Sequence, residues 1–285
     1  MNIKKNLIGA AVLASFISAP ASAFVVNLPN GIAIIEDDNK ELVLDASGNV
    51  KTSGALVVGD RLRAVVSFQA IANPDNSVFQ NLGLTETAEL TGISEIEIAA
   101  IGPGGDFVFK PSASFEATYG LGAMVAMFAD STPDLDMGCA TQAACEADAT
   151  NGDSWMVAGF GDADDFWVAG PAFPGGLTAD ITAIAALPAV TKLGVANYAL
   201  SILDNDTGYI LEEQFSPLSG FVVPGGDNFT DIVGSGDILG GAGLAGPYIA
   251  RSDFDFQVNV PEPTSIALMG LGLLGVVASR KKIKV

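Results

Sequence analysis

Histidine is missing from this 285-residue chain. Its absence excludes a Ser-His-Asp or Cys-His hydrolase, a His-ligated zinc centre and any imidazole proton shuttle. Basic residues are scarce too: 13 Lys and Arg stand against 33 Asp and Glu, a formal net charge of −20. With so little positive charge to displace counterions from phosphates, nucleic acid is excluded as a partner. Cysteine is limited to Cys139 and Cys145, whose spacing is wrong for a CxxC-type redox role. Charged residues make up only 16% of the chain, whereas 49% is hydrophobic. That apolar content is divided between a core and two apolar segments at the ends.

The first end is laid out for export. Lys4 and Lys5 precede an apolar run over 7–17, Pro20 breaks any helix, and Ala21-Ser22-Ala23 is a small-x-small cleavage site. Residues 1–23 therefore read as a signal peptide with Phe24 as the mature N-terminus. The expected partners at this stage are the Sec translocon and signal peptidase.

The other end has three parts in order: Pro261-Glu262-Pro263, an apolar run over 266–278, and a basic cluster of Arg280, Lys281, Lys282 and Lys284. Thirteen residues at 1.5 Å rise span roughly 20 Å, short of a hydrocarbon core of about 30 Å. The flanks argue for a transmembrane helix nonetheless. The basic cluster is a stop-transfer signal that would stay cytoplasmic, and its long side chains snorkel to extend the reach.

This three-part tail resembles the PEP-CTERM sorting signal of Gram-negative bacteria. The resemblance implies recognition by exosortase, a membrane protease-transpeptidase, with processing near Pro261 to Pro263 while the helix and basic tail stay behind. It also implies a transient inner-membrane anchor, then delivery to the cell surface or extracellular matrix, in company with exopolysaccharide production. Two body segments, Leu90-Thr91-Gly92-Ile93-Ser94-Glu95-Ile96 and Gly234-Ser235-Gly236-Asp237-Ile238-Leu239, are similar to long members of that family linked with flocculation.

Three regions follow: 1–23, 24–260 and 261–285. The middle one keeps 7 basic and 32 acidic side chains, a net charge of −25, more acidic than the whole chain. Such a surface is soluble, self-repelling and suited to divalent cations. Its hydrophobic period is mostly two, as in Ile93-Ser94-Glu95-Ile96-Glu97-Ile98, Phe107-Val108-Phe109-Lys110 and Phe254-Asp255-Phe256-Gln257-Val258. Long strands are expected over 61–71 and 115–129, shorter ones over 154–160 and 165–169. A hairpin is expected from 194–203 and 208–215 around Asp204-Asn205-Asp206-Thr207. About ten strands and one or two short helices, over 140–149 and 178–186, point to an antiparallel β-sandwich or jelly roll.

Two cysteines in an exported chain read as a disulfide. Six residues apart on a straight helix they would face about 240° away from each other, so pairing requires a loop or a broken helix. Two Gly-rich matches to G-x-G-x-x-G, beginning at Gly241 and Gly270, lack the strand-turn-helix context that presents a pyrophosphate. Three acidic clusters, Asp130/Asp134/Asp136, Asp162/Asp164/Asp165 and Asp204/Asp206, are open to Ca²⁺, although Asp also caps turns through its own backbone. The spacing after Asp204 fails as an EF-hand, since Tyr209 and Phe215 occupy its sixth and twelfth positions. Trp167 beside Asp164-Asp165 offers a sugar-stacking option against core packing.

The function expected is non-catalytic, with no required cofactor: an exported surface or matrix protein associated with exopolysaccharide in a biofilm or floc. The alternatives are a lectin-like module, a Ca²⁺-dependent adhesin or a two-carboxylate glycoside hydrolase, for which no pair stands out among 32 acids.

Overall fold

The computed structural model describes residues 26–262 except 217, 219–221 and 224–227. Their order is β1 (Gly31–Leu44), β2 (Arg61–Ala72), β3 (Phe79–Asn81), β4 (Glu89–Ile101), β5 (Phe107–Pro111), α1 (Ala113–Tyr119), β6 (Ala123–Asp130), α2 (Gln142–Ala149), β7 (Asp153–Gly159), β8 (Phe166–Pro171), α3 (Ile181–Ala186), β9 (Lys192–Asn205), β10 (Gln214–Phe215), β11 (Phe229–Thr230), β12 (Ile232–Gly240) and β13 (Ala250–Val260). The β-rich expectation stands. The two-sheet expectation does not.

Eleven strands form one sheet in the order β3-β2-β1-β13-β12-β9-β7-β6-β4-β5-β8, and β2 also pairs with β4. That extra pairing closes a circuit β1-β2-β4-β6-β7-β9-β12-β13, antiparallel throughout. The sheet is thus a barrel, which removes exposed edges by closure where a sandwich must blunt them. At one end β5 and β8 replace β6 and β7: β5 pairs with the second half of β4, and β8 with the first half of β9.

Alternation places the core. In β13 every second residue from Ala250 to Val260 is buried, and Phe254, Phe256 and Val258 face the barrel interior with Phe68, Ile96, Ile98, Trp167, Tyr198 and Leu200. Two inward positions of β12 are Gly234 and Gly236. A Cβ on Gly234 would lie 2.1 Å from the Tyr198 ring, and one on Gly236 would lie 2.0 Å from the Phe254 ring. These glycines mark close approach, leaving the aromatic rings the space that side chains on β12 would take.

A second apolar layer lies outside the wall. Leu42, Val65, Ile93 and Val157 pack there against Phe115, Leu135, Cys145, Ala149 and Tyr248. Helices α1 and α2 cover this face, tied down by a polar network on the outer side of β2 and β4. Arg63 forms a two-pronged pair with Glu146 of α2 (2.6 and 2.7 Å) and reaches Glu95 at 2.8 Å. Glu95 also accepts from Arg61 (2.9 Å), from Ser112 (2.5 Å) and from Ser114.

Two local expectations are corrected. The strand expected over 115–129 begins as α1, because Ser112 caps a helix by accepting from Phe115 N, and the strand proper starts only at Ala123. The hairpin around Asp204 is also absent. Strand β9 runs through Asn205, and its end from Ser201 pairs with β7, while β12 stops at Leu200 on the other side and among the described residues no strand returns from Asp204 along it. The chain crosses instead to bridge Glu212 with Asn259, and Gln214–Phe215 pairs with Phe229–Thr230.

Candidate functional site

The barrel interior holds a stripe of polar side chains on β1. A strand that alternates across a closed wall must send every second residue inward. In β1 those residues are Ala33, Ile35, Asp37, Asn39, Glu41 and Val43, all buried. Asn39 Nδ2 donates to Asp37 Oδ1 and to Ser252 Oγ, both at 3.1 Å, and Ser252 donates to Glu41 Oε1 at 2.5 Å. Phe254 N–H donates to Asp37 Oδ1 at 2.9 Å. The side-chain oxygen of Asn39, Oδ1, has no hydrogen-bond partner among the described residues.

Burial raises the Asp37 carboxyl well above its ordinary range; the Phe254 N–H opposes this, while Asp255, Asp253 and Asp38 reinforce it. Burial likewise raises Glu41 against the hydrogen bond from Ser252, and the Tyr198 hydroxyl is pushed up by burial and by the charges of Asp37 and Asp255. Asp37, Asn39 and Glu41 line a cavity of about 50 Å³, with Trp167, Tyr198 and Phe254 among the aromatic walls.

The acidic clusters singled out in the sequence are engaged by hydrogen bonds within their own turns or from nearby loops and strands. Asp130 accepts from Thr132 N (2.7 Å), Asp136 from Gly138 N (2.7 Å), and Asp134 from the Asn151 amide (2.9 Å). Asp165 gathers Gly161 N, Asp162 N and Ser201 Oγ within 2.6–3.0 Å, and burial raises its carboxyl in spite of those bonds. Asp204 accepts from Asn205 N. Among the described residues no group of three or more acidic or thiol side chains is placed to share one metal ion. Trp167 lies inside the barrel, stacked on Tyr198 with ring centroids 4.5 Å apart, so it presents no face to an external sugar.

Cys139 and Cys145 are joined, with Cα atoms 5.6 Å apart. Cys145 sits on α2 while Cys139 precedes the helix, the broken arrangement that pairing at this spacing demands. Lys40, an outward residue of β1, is fully buried beneath this loop. Its ammonium donates to Met137 O (2.9 Å) and Cys139 O (3.2 Å), lies 2.8 and 3.1 Å from the two sulfurs, and sits 4.5 Å from the centre of the Tyr248 ring. Burial lowers its proton affinity, and Asp136 restores part of it.

The C-terminal wall strand leads straight out of the barrel. Val260 is buried opposite Gly31, and Glu212 N bonds Asn259 O at 2.9 Å. Pro261 has no N–H to continue the ladder, and Glu262 is exposed. A PEP-CTERM protein-sorting motif matches residues 259–282. The chain carries an exosortase sorting signal. The PEP-CTERM motif indicates exosortase as the processing partner, and it implies export with a transient membrane anchor. Comparison with curated proteins and with solved structures finds no match.

The motif begins inside the wall, since its first two matched residues, Asn259 and Val260, are the last two of β13. Pro263, the apolar run and Arg280, Lys281 and Lys282 lie outside the described residues, as do Ala21, Ala23 and Phe24. Among the described residues no helix is long and apolar enough to cross a membrane. Sequence reasoning passed over the β1 stripe and Lys40. The segment Glu36-Asp37-Asp38-Asn39-Lys40-Glu41 is polar at every position, so no apolar alternation marks it as a strand.

Proposed function

We propose that the chain is a non-catalytic exported protein whose acidic barrel, 24–260, is delivered to the cell surface or extracellular matrix and works there with exopolysaccharide in a biofilm or floc. The observation that carries this reading is the PEP-CTERM motif at 259–282, continuous with the last wall strand. The signal-peptide pattern over 1–23 agrees with it, and so does the net charge of −25 on 24–260, which keeps a delivered domain soluble and lets divalent cations bridge it to anionic polymers. In this reading exosortase acts at or just beyond Pro261–Pro263, and the barrel leaves intact because its hydrogen-bonded wall ends at Val260.

The test is cell fractionation with and without exosortase, with mass analysis of the C-terminus of the released protein. The reading expects cell-retained protein with its tail intact in the deletion strain and tail-less protein outside the parent. Normal release from the deletion strain would overturn it.

A further inference from the structure

The interior stripe is out of balance in charge and in hydrogen bonding. Its titratable groups are Asp37 and Glu41 on β1 and Tyr198 on β9, and among the described residues no Lys or Arg lines the cavity. Behind the wall the charges coupled to Asp37 are again acidic, those of Asp38, Asp253 and Asp255. Two carboxyls are thus enclosed without a cation, an arrangement that buried carboxylates normally avoid.

Asn39, only 6% exposed, lines the same cavity. Its amide nitrogen is committed to Asp37 and Ser252, and its carbonyl oxygen is left open. A buried acceptor without a donor has given up its hydrogen bond to water and received none in return. The site therefore has an open acceptor, and it lies beside two carboxyls that no lining cation offsets.

The remaining wall sets the shape of what fits. Trp167, Tyr198 and Phe254 surround the cavity with aromatic surface, which attracts a cation and accepts carbon. At about 50 Å³ the space takes roughly three or four water-sized groups. A metal ion is a poor fit, because the oxygen ligands are spread along β1, linked from Asp37 through Asn39 and Ser252 of β13 to Glu41, and among the described residues no three acidic groups converge on a point.

We propose that the barrel lumen binds a small primary alkylammonium ion, its ammonium donating to Asn39 Oδ1 beside Asp37 and Glu41 and its carbon chain lying against Trp167, Tyr198 and Phe254. The proposal does not rest on the sorting reading. An ammonium supplies the missing donor and the missing charge in one group, and it draws Asp37 and Glu41 toward their ionised forms. Water would supply the donor alone.

The experiment titrates the intact protein with ethylammonium chloride, with ethanol, and with sodium chloride at matched ionic strength. Tryptophan emission and melting temperature are followed after long equilibration. Trp167 is the reporter at the cavity; Trp155 is buried in the core but is not part of its lining. Ethylammonium should give a saturable emission change and raise the melting temperature, whereas sodium should do neither. Its affinity should rise about tenfold or more from about pH 5 to about pH 8, as bound carboxyls ionise, while that of ethanol stays flat.

Asp37→Asn and Glu41→Gln, each nearly isosteric, should weaken ethylammonium about tenfold or more and leave ethanol unchanged. Equal responses to ethanol and ethylammonium would overturn the proposal, and so would no response to either, which would mean a cavity that keeps only water. If the variants fail to fold, the pH profile of the unaltered protein decides between the same outcomes.

Discussion

Two sets of buried carboxyls share one barrel wall and behave in opposite ways. Inside, Asp37 and Glu41 hold their protons more tightly than an ordinary carboxyl, because burial meets no cation. Outside, under α1 and α2, Glu95 is also buried, and burial alone would raise it. Hydrogen bonds from Ser112 and Ser114 and the Arg63 guanidinium outweigh that and hold its carboxyl below the ordinary range. Burial by itself therefore predicts neither charge nor stability; the partners do. The outer set is built as a clamp between helices and wall. The inner set is built as if a partner were still to arrive.

Breaking the outer set should have the largest effect. Glu95→Ala leaves Arg61 and Arg63 facing a buried gap and cuts the wall's link to the Ser112 cap, which should cost about 3–5 kcal/mol in urea unfolding. A loss below about 1 kcal/mol would show that the network is solvated and incidental.

Lys40 is an intermediate case, a buried cation met by dipoles and a ring and by no carboxylate bond. Lys40→Met keeps the length and apolar stem but strips the Met137 and Cys139 carbonyls of their donor. The expected loss is about 1–3 kcal/mol, read from the same unfolding curves. A gain would mean that desolvating the ammonium costs more than its bonds return.

The smallest effect belongs to the lumen and has the opposite sign. Raised carboxyl values mean that the folded chain binds these protons more tightly than the unfolded chain. The stability contributed by Asp37 is thus full below the ordinary carboxyl range and is lost as pH rises through its raised folded value. Asp37→Asn should consequently stabilise the ligand-free protein at neutral pH, and the gain should vanish in acid. Glu95 runs the other way: its lowered value contributes stability above the ordinary range that is lost on acidification. Melting temperatures from acid to neutral pH should separate the two variants by the sign of their slopes. Parallel slopes would erase the distinction between the two regions.

How far these sites were legible in the sequence follows from the range of the interactions that make them. The sorting motif was fully legible, because its recognition rests on Pro261-Glu262-Pro263, a contiguous apolar run and a contiguous basic cluster. The alternation in Phe254-Asp255-Phe256-Gln257-Val258 sufficed to place β13 and its inward face. The same rule was silent on β1, whose inward residues Asp37, Asn39 and Glu41 are as polar as Glu36 and Asp38 facing out. Cys139 and Cys145 could be read as a pair from their number, but nothing near them announced a lysine 99 residues away beneath the loop.

The sequence by itself determined the sorting signal of the protein, its acidity and its mainly β character, since a targeting motif, a charge balance and a two-residue period are all read over short stretches of chain. The tertiary structure alone decided that the strands close into a barrel, because the pairing of β2 with β4 and of β1 with β13 joins segments that no local pattern links. The same closure decided which side of β1 is inside. That choice encloses Asp37 and Glu41 without a cation and gives Glu95 two arginines, and so turns similar carboxyl side chains into groups of opposite behaviour.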